Sequence, residues 1–281
     1  MTWPGEMMAE QSVTAEMPIR SVYEGGQAGE PILRVRGLSV GFGGPLILEN
    51  LDLDVYRGEI LAVVGASGTG KSVLTRAILG LAPRLSGHVE AFGRPFGSED
   101  VPRDIEKRWG VLFQHGALFS ALTVAQNVAI PIREYLDLPE NLIDALAKLK
   151  IEIVGLKMTD FDKLPSELSG GMTKRAAIAR ALALDPEVVF LDEPTSGLDP
   201  ISASQFDRLI LDLRDTLGLT VVMVTHDLDS LYAIADRIAV IGDKHILVDG
   251  DMETMRNFDH PWVSEYFNGE RARAASAPAG G

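Results

Sequence analysis

The octapeptide Gly65-Ala66-Ser67-Gly68-Thr69-Gly70-Lys71-Ser72 lies between a short apolar run, residues 59–64, and a helical pattern over 70–79. A buried strand, a glycine-rich turn and a helix in that order make a cradle for a polyphosphate. The glycines let the backbone curl so that successive N–H groups and the helix N-terminus face the anion. Lys71 would reach the β- and γ-phosphates, and the Ser72 hydroxyl would sit on Mg²⁺. Taken alone, the run also fits a plain glycine turn that caps a helix; the strand before it and the helix after it favour the cradle. It points to nucleotide binding more than to any particular reaction.

Outward from this turn the chain alternates strands and helices. Apolar runs at 188–191, 220–224 and 237–241 read as buried parallel strands, separated by helical patterns over 202–217 and 228–235. This predicts an α/β core with its sheet covered on both faces. Upstream, residues 32–42 and 47–55 alternate apolar with polar, as in Leu51, Leu53 and Val55 against Asp52 and Asp54, which predicts an N-terminal antiparallel β lobe. Between Gln114 and Asp185 no strand is expected. Leu142, Ile143, Leu146, Leu149 and Ile153 recur at helical spacing and 171–184 is rich in helix formers, so a helical lobe is inserted over about 115–184. A last strand at 246–248 leads into a helical tail over about 251–267. The working unit is 32–267, between a flexible leader, 1–31, and a disordered tail, 268–281.

Two further sites carry chemistry. The run at 188–191 ends in Asp192-Glu193, and two acids at the end of a buried strand need a partner for their charge. Magnesium with ATP supplies one, with Asp192 holding the ion and Glu193 polarising the water that attacks the γ-phosphate. Standing alone, the pair is also an ordinary acidic loop. Leu168-Ser169-Gly170-Gly171-Met172 precedes a helix, so its N–H groups and the Ser169 hydroxyl form a second anion-binding helix start. One nucleotide cannot use both starts within one domain.

Composition narrows the class. The 281 residues, 46% of them hydrophobic, are enough for one sizeable core, and the net charge of -14 excludes a general nucleic-acid binder. With no cysteine there is no disulfide, thiolate zinc site or cysteine catalysis. Nothing at the start of the chain reads as a signal peptide, and no stretch approaches the ~18 apolar residues of a membrane span. Work at a membrane would require a bound partner.

These motifs, in this order and spacing over roughly residues 32–250, resemble the ABC ATPase family, whose signature ends in Gln where this chain has Met172. The resemblance implies an ABC-type P-loop ATPase: a RecA-like core, an antiparallel β lobe and an inserted helical lobe. It implies that Phe42 stacks on adenine, that 65–72 form Walker A, and that Gln114 links the Mg²⁺ site to the helical lobe. It further implies that Asp192 and Glu193 are the Walker B pair, that Ser196 to Asp199 form the D-loop, and that His226 contacts the γ-phosphate. Each has a plainer competitor: Phe42 as a core aromatic, His226 as a structural residue after a strand. In the family two subunits pair head to tail, each ATP lying between Walker A of one and residues such as Ser169, Gly170 and Gly171 of the other. With Met172 in place of Gln, weaker sugar contacts and intact phosphate contacts are expected.

A narrower resemblance, to ATPases of the Mla and toluene-tolerance type, rests on Phe113-Gln114-His115-Gly116-Ala117-Leu118-Phe119, on 168–184, and on the tail from His260-Pro261-Trp262-Val263 to Gly269. It implies phospholipid trafficking with an MlaE-like integral-membrane permease and an MCE-domain lipid-binding protein, on the cytoplasmic face of the inner membrane. Ala117, Leu118, Phe119, Leu122 and Val124 are expected to form an exposed apolar notch for the permease. The competing reading makes 117–130 lobe core and packs Trp262, Tyr266 and Phe267 onto their own subunit. A DNA- or ribosome-directed ABC ATPase would bring a coiled-coil insertion, a cysteine set or fused cassettes. A GTPase would bring an Asn-Lys-x-Asp motif; neither is present.

Overall fold

The computed structural model describes residues 29–96, 101–114, 116–269 and 272. Most of the expected leader and tail, and His115, lie outside the described residues. The chain begins with β1 (Pro31–Val40), β2 (Leu48–Tyr56) and β3 (Ile60–Val64), then α1 (Lys71–Ile78), β4 (Ser86–Ala91), β5 (Arg94–Phe96), α2 (Arg103–Glu106) and β6 (Trp109–Leu112). Three longer helices follow, α3 (Val124–Tyr135), α4 (Glu140–Ile153) and α5 (Gly170–Ala181). The rest of the core is β7 (Val188–Asp192), α6 (Pro200–Leu217), β8 (Thr220–Val224), α7 (Leu228–Ile234) and β9 (Arg237–Gly242). The chain closes with β10 (His245–Gly250), α8 (Met252–Asn257) and α9 (Pro261–Asn268).

There are two sheets. The larger has the order β10-β9-β3-β8-β7-β6, parallel except for β10, and the smaller is antiparallel in the order β2-β1-β4-β5. The strands of the larger sheet are apolar throughout because they are buried on both faces. Ile60, Ala62 and Val64 of β3 join one core, together with Val189 and Leu191 of β7 and Val221 and Met223 of β8. The residues between them, Leu61, Val63, Phe190 and Val222, join a second core under the smaller sheet and α1. A strand's period of two sends alternate side chains to opposite faces, so this sheet is the middle layer.

Arg237 fastens the layers. Its guanidinium donates to both carboxylate oxygens of the fully buried Glu59, at 2.8 and 3.0 Å, and to the main-chain oxygen of Asp54 on β2. A buried acid persists only when paired in this way.

The expected strands and helices all form, within a few residues of the expected ends. Sequence reading omits the hairpin β4-β5, whose polar run Ser86-Gly87-His88 lacks alternation, and the short α2. It also misreads part of α4. That helix buries Ile143, Ala147 and Ile151, while Leu142, Leu149 and Ile153 face outward. The expected notch is corrected too. Ala117 and Phe119 are exposed and Leu118 and Leu122 half-buried, but Val124 is wholly buried in the lobe core, because the Thr123 cap turns it inward as the first residue of α3. The tail packs on its own chain through Val263 and Phe267. Among the described residues, no helix is long and apolar enough to cross a membrane.

Candidate active site

Strand register gathers the site. β3 pairs β8 with Val63 opposite Val224, β7 pairs β8 with Asp192 opposite Val224, and β6 pairs β7 with Leu112 opposite Leu191. The loops beginning at Gly65, Gln114, Glu193 and Thr225 therefore leave one edge of the sheet side by side. Ligands of open parallel sheets bind at that carboxyl edge.

At its centre is the glycine run. Gly68 and Gly70 adopt φ of 81° and 103°, left-handed values that suit glycine, and α1 starts after Gly70 with no side-chain cap. Its first N–H groups are left to face whatever fills the loop. Gly65 is needed for space, since a Cβ there would come within 2.4 Å of the Ile241 carbonyl oxygen. Ala66, Ser67 and Thr69 complete the turn, with the Thr69 hydroxyl donating to the Ala66 oxygen at 2.9 Å. Lys71 folds along the loop, its ammonium donating to the Gly65 and Ala66 oxygens at 2.7 and 2.9 Å. Burial lowers its pKa, opposed by the carboxylates of Glu193 and Asp192.

The Ser72 hydroxyl donates to Asp192 Oδ1 at 3.2 Å, so the hydroxyl and the buried carboxylate form one oxygen-rich corner. Oxygen donors of this kind suit a hard divalent cation such as Mg²⁺. Glu193 follows with φ of 50°, its N–H donating to the Val224 oxygen, and its Oε2 lies 2.7 Å from Nδ1 of His226. Gln114 sits exposed after β6. Phe42, 59% exposed, stands in the β1-β2 loop rather than in a core. Ile47, at the end of that loop, and Leu48, the first residue of β2, touch Gly70 so closely that a Cβ there would lie 2.8 Å from Leu48.

The second anion site lies elsewhere on the surface. Ser169 caps α5, accepting from the Met172 N–H at 3.3 Å, and Gly170 and Gly171 carry the helix start. Met172 is half-buried against the lobe core. The loop before α6 and the start of that helix pass beside it, since Cβ atoms on Gly170 and Gly171 would meet Leu198 and Ser202. Asp199 caps α6, accepting from the Ile201 and Ser202 N–H groups and from the Ser202 hydroxyl at 2.6 Å.

Two contacts beside the site were not foreseen from sequence. An open cleft of about 1060 Å³ runs from Glu193, Ser196 and His226 to Trp262 and Tyr266 of α9. Across it the Tyr266 phenol donates to the His226 carbonyl at 3.0 Å, and burial, with the charges of Glu193 and Asp227, raises that phenol's pKa. Lys174 makes the other. It shares the buried face of α5 with Ile178 and Ala181, and a lysine at i, i+4, i+7 spacing with apolar residues is the signal that would have found it.

A family model described as ABC transporter matches residues 48–196. The chain is 39% identical over 246 residues to the intermembrane phospholipid transport system ATP-binding protein MlaF of Haemophilus influenzae, spanning 85% of this chain and 91% of that protein. It is 37% identical over 241 residues to the probable ribonucleotide transport ATP-binding protein mkl of Mycobacterium leprae, spanning 85% of this chain and 69% of that protein. Among solved structures it is similar to MJ0796, a bacterial ABC transporter cassette solved as a dimer, with TM-score 0.70 and 26% identity over 78% of this chain and 98% of that one. A dimeric post-hydrolysis state of the same cassette, bound to ADP and Pi, matches with TM-score 0.69 at the same identity and coverage.

Proposed function

Because the chain belongs to the ABC transporter family, as an ATP-binding subunit that hydrolyses ATP, we propose that it powers a phospholipid-trafficking permease from a site built by residues 65–72, 192–193 and 226. The observation that carries the site is the meeting of the Ser72–Asp192 corner and the Glu193–His226 pair at the end of one sheet.

In this reading the loop N–H groups and Lys71 hold the β- and γ-phosphates, and the exposed ring of Phe42 takes the adenine. Ser72 and Asp192, with Gln114, would hold Mg²⁺, which supplies charge neutralisation at the phosphates when bound. Glu193 polarises the attacking water as general base, and His226, hydrogen-bonded to it, faces the γ-phosphate. Ser169, Gly170 and Gly171 close over the ATP of a second copy, with Asp199 on the same surface. A head-to-tail homodimer explains why one chain carries two separated anion sites. ATP then acts as the joint, and loss of the γ-phosphate opens it.

The region 115–184 within the working unit 32–267 is the part that meets the permease, through Ala117, Leu118, Phe119 and Leu122. The chain sits peripherally at the membrane, with an MlaE-like permease and an MCE-domain protein as its partners; the likeness to MlaF supports this cargo. The likeness to mkl favours a second reading, with ribonucleotide as cargo.

A Glu193→Gln variant, tagged and recovered from solubilised membranes with ATP and Mg²⁺, tests both levels. Hydrolysis should fall at least ~100-fold with ATP still bound, as expected on loss of a general base. Mass spectrometry should recover a permease, an MCE-domain protein and phospholipid. A different permease would sink the lipid assignment and keep the ATPase.

A further inference from the structure

Lys174 lies five residues after Ser169 on the same helix and is only 5% exposed. A buried ammonium costs several kcal/mol unless its donors are met and its charge is balanced. Two of its three donors are met, and two carboxylates offset its charge. It donates to the main-chain oxygen of Gln114 and, at 3.1 Å, to that of Glu193, and the charges of Glu193 and Asp192 oppose the loss of its proton that burial favours.

The two carbonyls belong to loops from neighbouring strands, β6 and β7. That of Glu193 is held in a left-handed backbone, φ 50°, a conformation that a residue with a Cβ disfavours and keeps only when its surroundings hold it there. In this conformation its N–H donates to the Val224 oxygen, its carbonyl accepts from Lys174 and from the Ser196 N–H, and its carboxylate meets His226. Four contacts fix one residue. That from Lys174 is the one that originates in the helical lobe.

We propose that Lys174 is a positioning residue for hydrolysis: by gripping the carbonyls of Gln114 and Glu193 it keeps the Glu193 carboxylate aimed at the attacking water, and it ties both loops to the helix that begins at Ser169. The inference rests on Glu193 being the residue that polarises that water. A plain packing role would need the length of the side chain but not its donors.

The test compares Lys174→Met, which keeps the length and removes the donors, with Lys174→Arg, which keeps a cation and donors. Both are made in the full chain purified with its membrane partners. For Lys174→Met, kcat should fall about 10-fold or more with KM for ATP within about twofold, the pattern of lost positioning. Lys174→Arg should recover most of the rate, and trinitrophenyl-ATP should bind both variants as it binds the wild type. Wild-type turnover by Lys174→Met overturns the proposal. So does a parallel loss of kcat, analogue binding and thermal midpoint that Arg does not reverse, which would mark Lys174 as structural. Glu193→Gln is run beside them, and wild-type hydrolysis by that variant would instead overturn the site reading beneath the proposal.

Discussion

Asp207 on α6 is buried beneath the loop that carries His226. The Ser230 hydroxyl donates to its Oδ2 at 2.8 Å while its Oδ1 has no partner, and Ser230 also contacts Asp227, which accepts from Thr195. Burial pushes the Asp207 carboxyl up to about 6, with the charges of Asp227 and Asp229 adding to the rise. The native state thus holds this proton more tightly than the unfolded chain, where Asp titrates near about 3.9. Stability tied to the group is full below that value and is lost as pH rises through about 6. Asp207→Asn should abolish that loss, gaining up to about 3 kcal/mol on the wild type between pH 4 and pH 7; urea unfolding across this range measures it. At this scale the sequence showed what is contiguous. The glycine run, Asp192-Glu193 and Ser169 each follow a strand or open a helix, so local pattern singled them out, whereas His226 after its strand drew notice only through the family resemblance. Lys174 and Tyr266 act on carbonyls of residues 19 and 40 positions away, and Asp207 on a hydroxyl 23 away; such partners exist only once the sheet is assembled.

Among the elements, α3 is fixed at its start by a reciprocal cap between Thr123 and Gln126 and by the buried Asn127. The Asn127 side chain accepts from the Phe119 N–H at 2.7 Å and donates to the oxygens of Phe119, Leu122 and Thr123. One amide thereby shapes the loop on which Phe119 stands exposed. Asn127→Leu would take their side-chain partner from the Phe119 N–H and the Leu122 oxygen, while the oxygens of Phe119 and Thr123 keep the N–H groups of Leu122 and Asn127, at a cost of about 2–4 kcal/mol. The expected results are a lower thermal midpoint and faster hydrogen exchange over 117–123. An Asn in a helical run gives no such hint, since its partners are backbone groups of a loop with no periodicity. The α4 helix shows the opposite failure. Its leucines and isoleucines recur at helical spacing, yet Ala147 faces the core and Leu149 does not, because the rotation that buries Ile143 and Ile151 against α3 and α5 carries the residue midway between them inward. Periodicity identified the helix but not its rotation. The β4-β5 hairpin escaped because only Val89, Ala91 and Phe96 of its residues are buried.

For the molecule as a whole, the buried apolar runs and their spacing were sufficient to read the layered α/β core. The sheet order depended on pairings that no local pattern encodes. The acidity belongs to this scale as well. With a net charge of -14 on each copy, the two copies of the proposed dimer would repel unless salt screens them, which would suit a contact made and broken in each cycle. Helix α5 has a consequence for inheritance. In the proposed head-to-tail dimer its N-cap, Ser169, would serve the nucleotide of the other copy, whereas Lys174, bound to Glu193 of its own chain, would serve its own. A Ser169→Arg allele therefore spoils the site completed for its partner, and a Lys174→Met allele spoils the site within its own chain. In a mixed dimer both lesions fall on one site and the other is whole, so these two recessive alleles should complement each other when carried in trans. Placed together on one gene copy beside a wild-type one, they damage both sites of the mixed dimer. Co-expressed, differently tagged chains, purified as the mixed pair, should hydrolyse ATP faster in the trans arrangement than in the cis one.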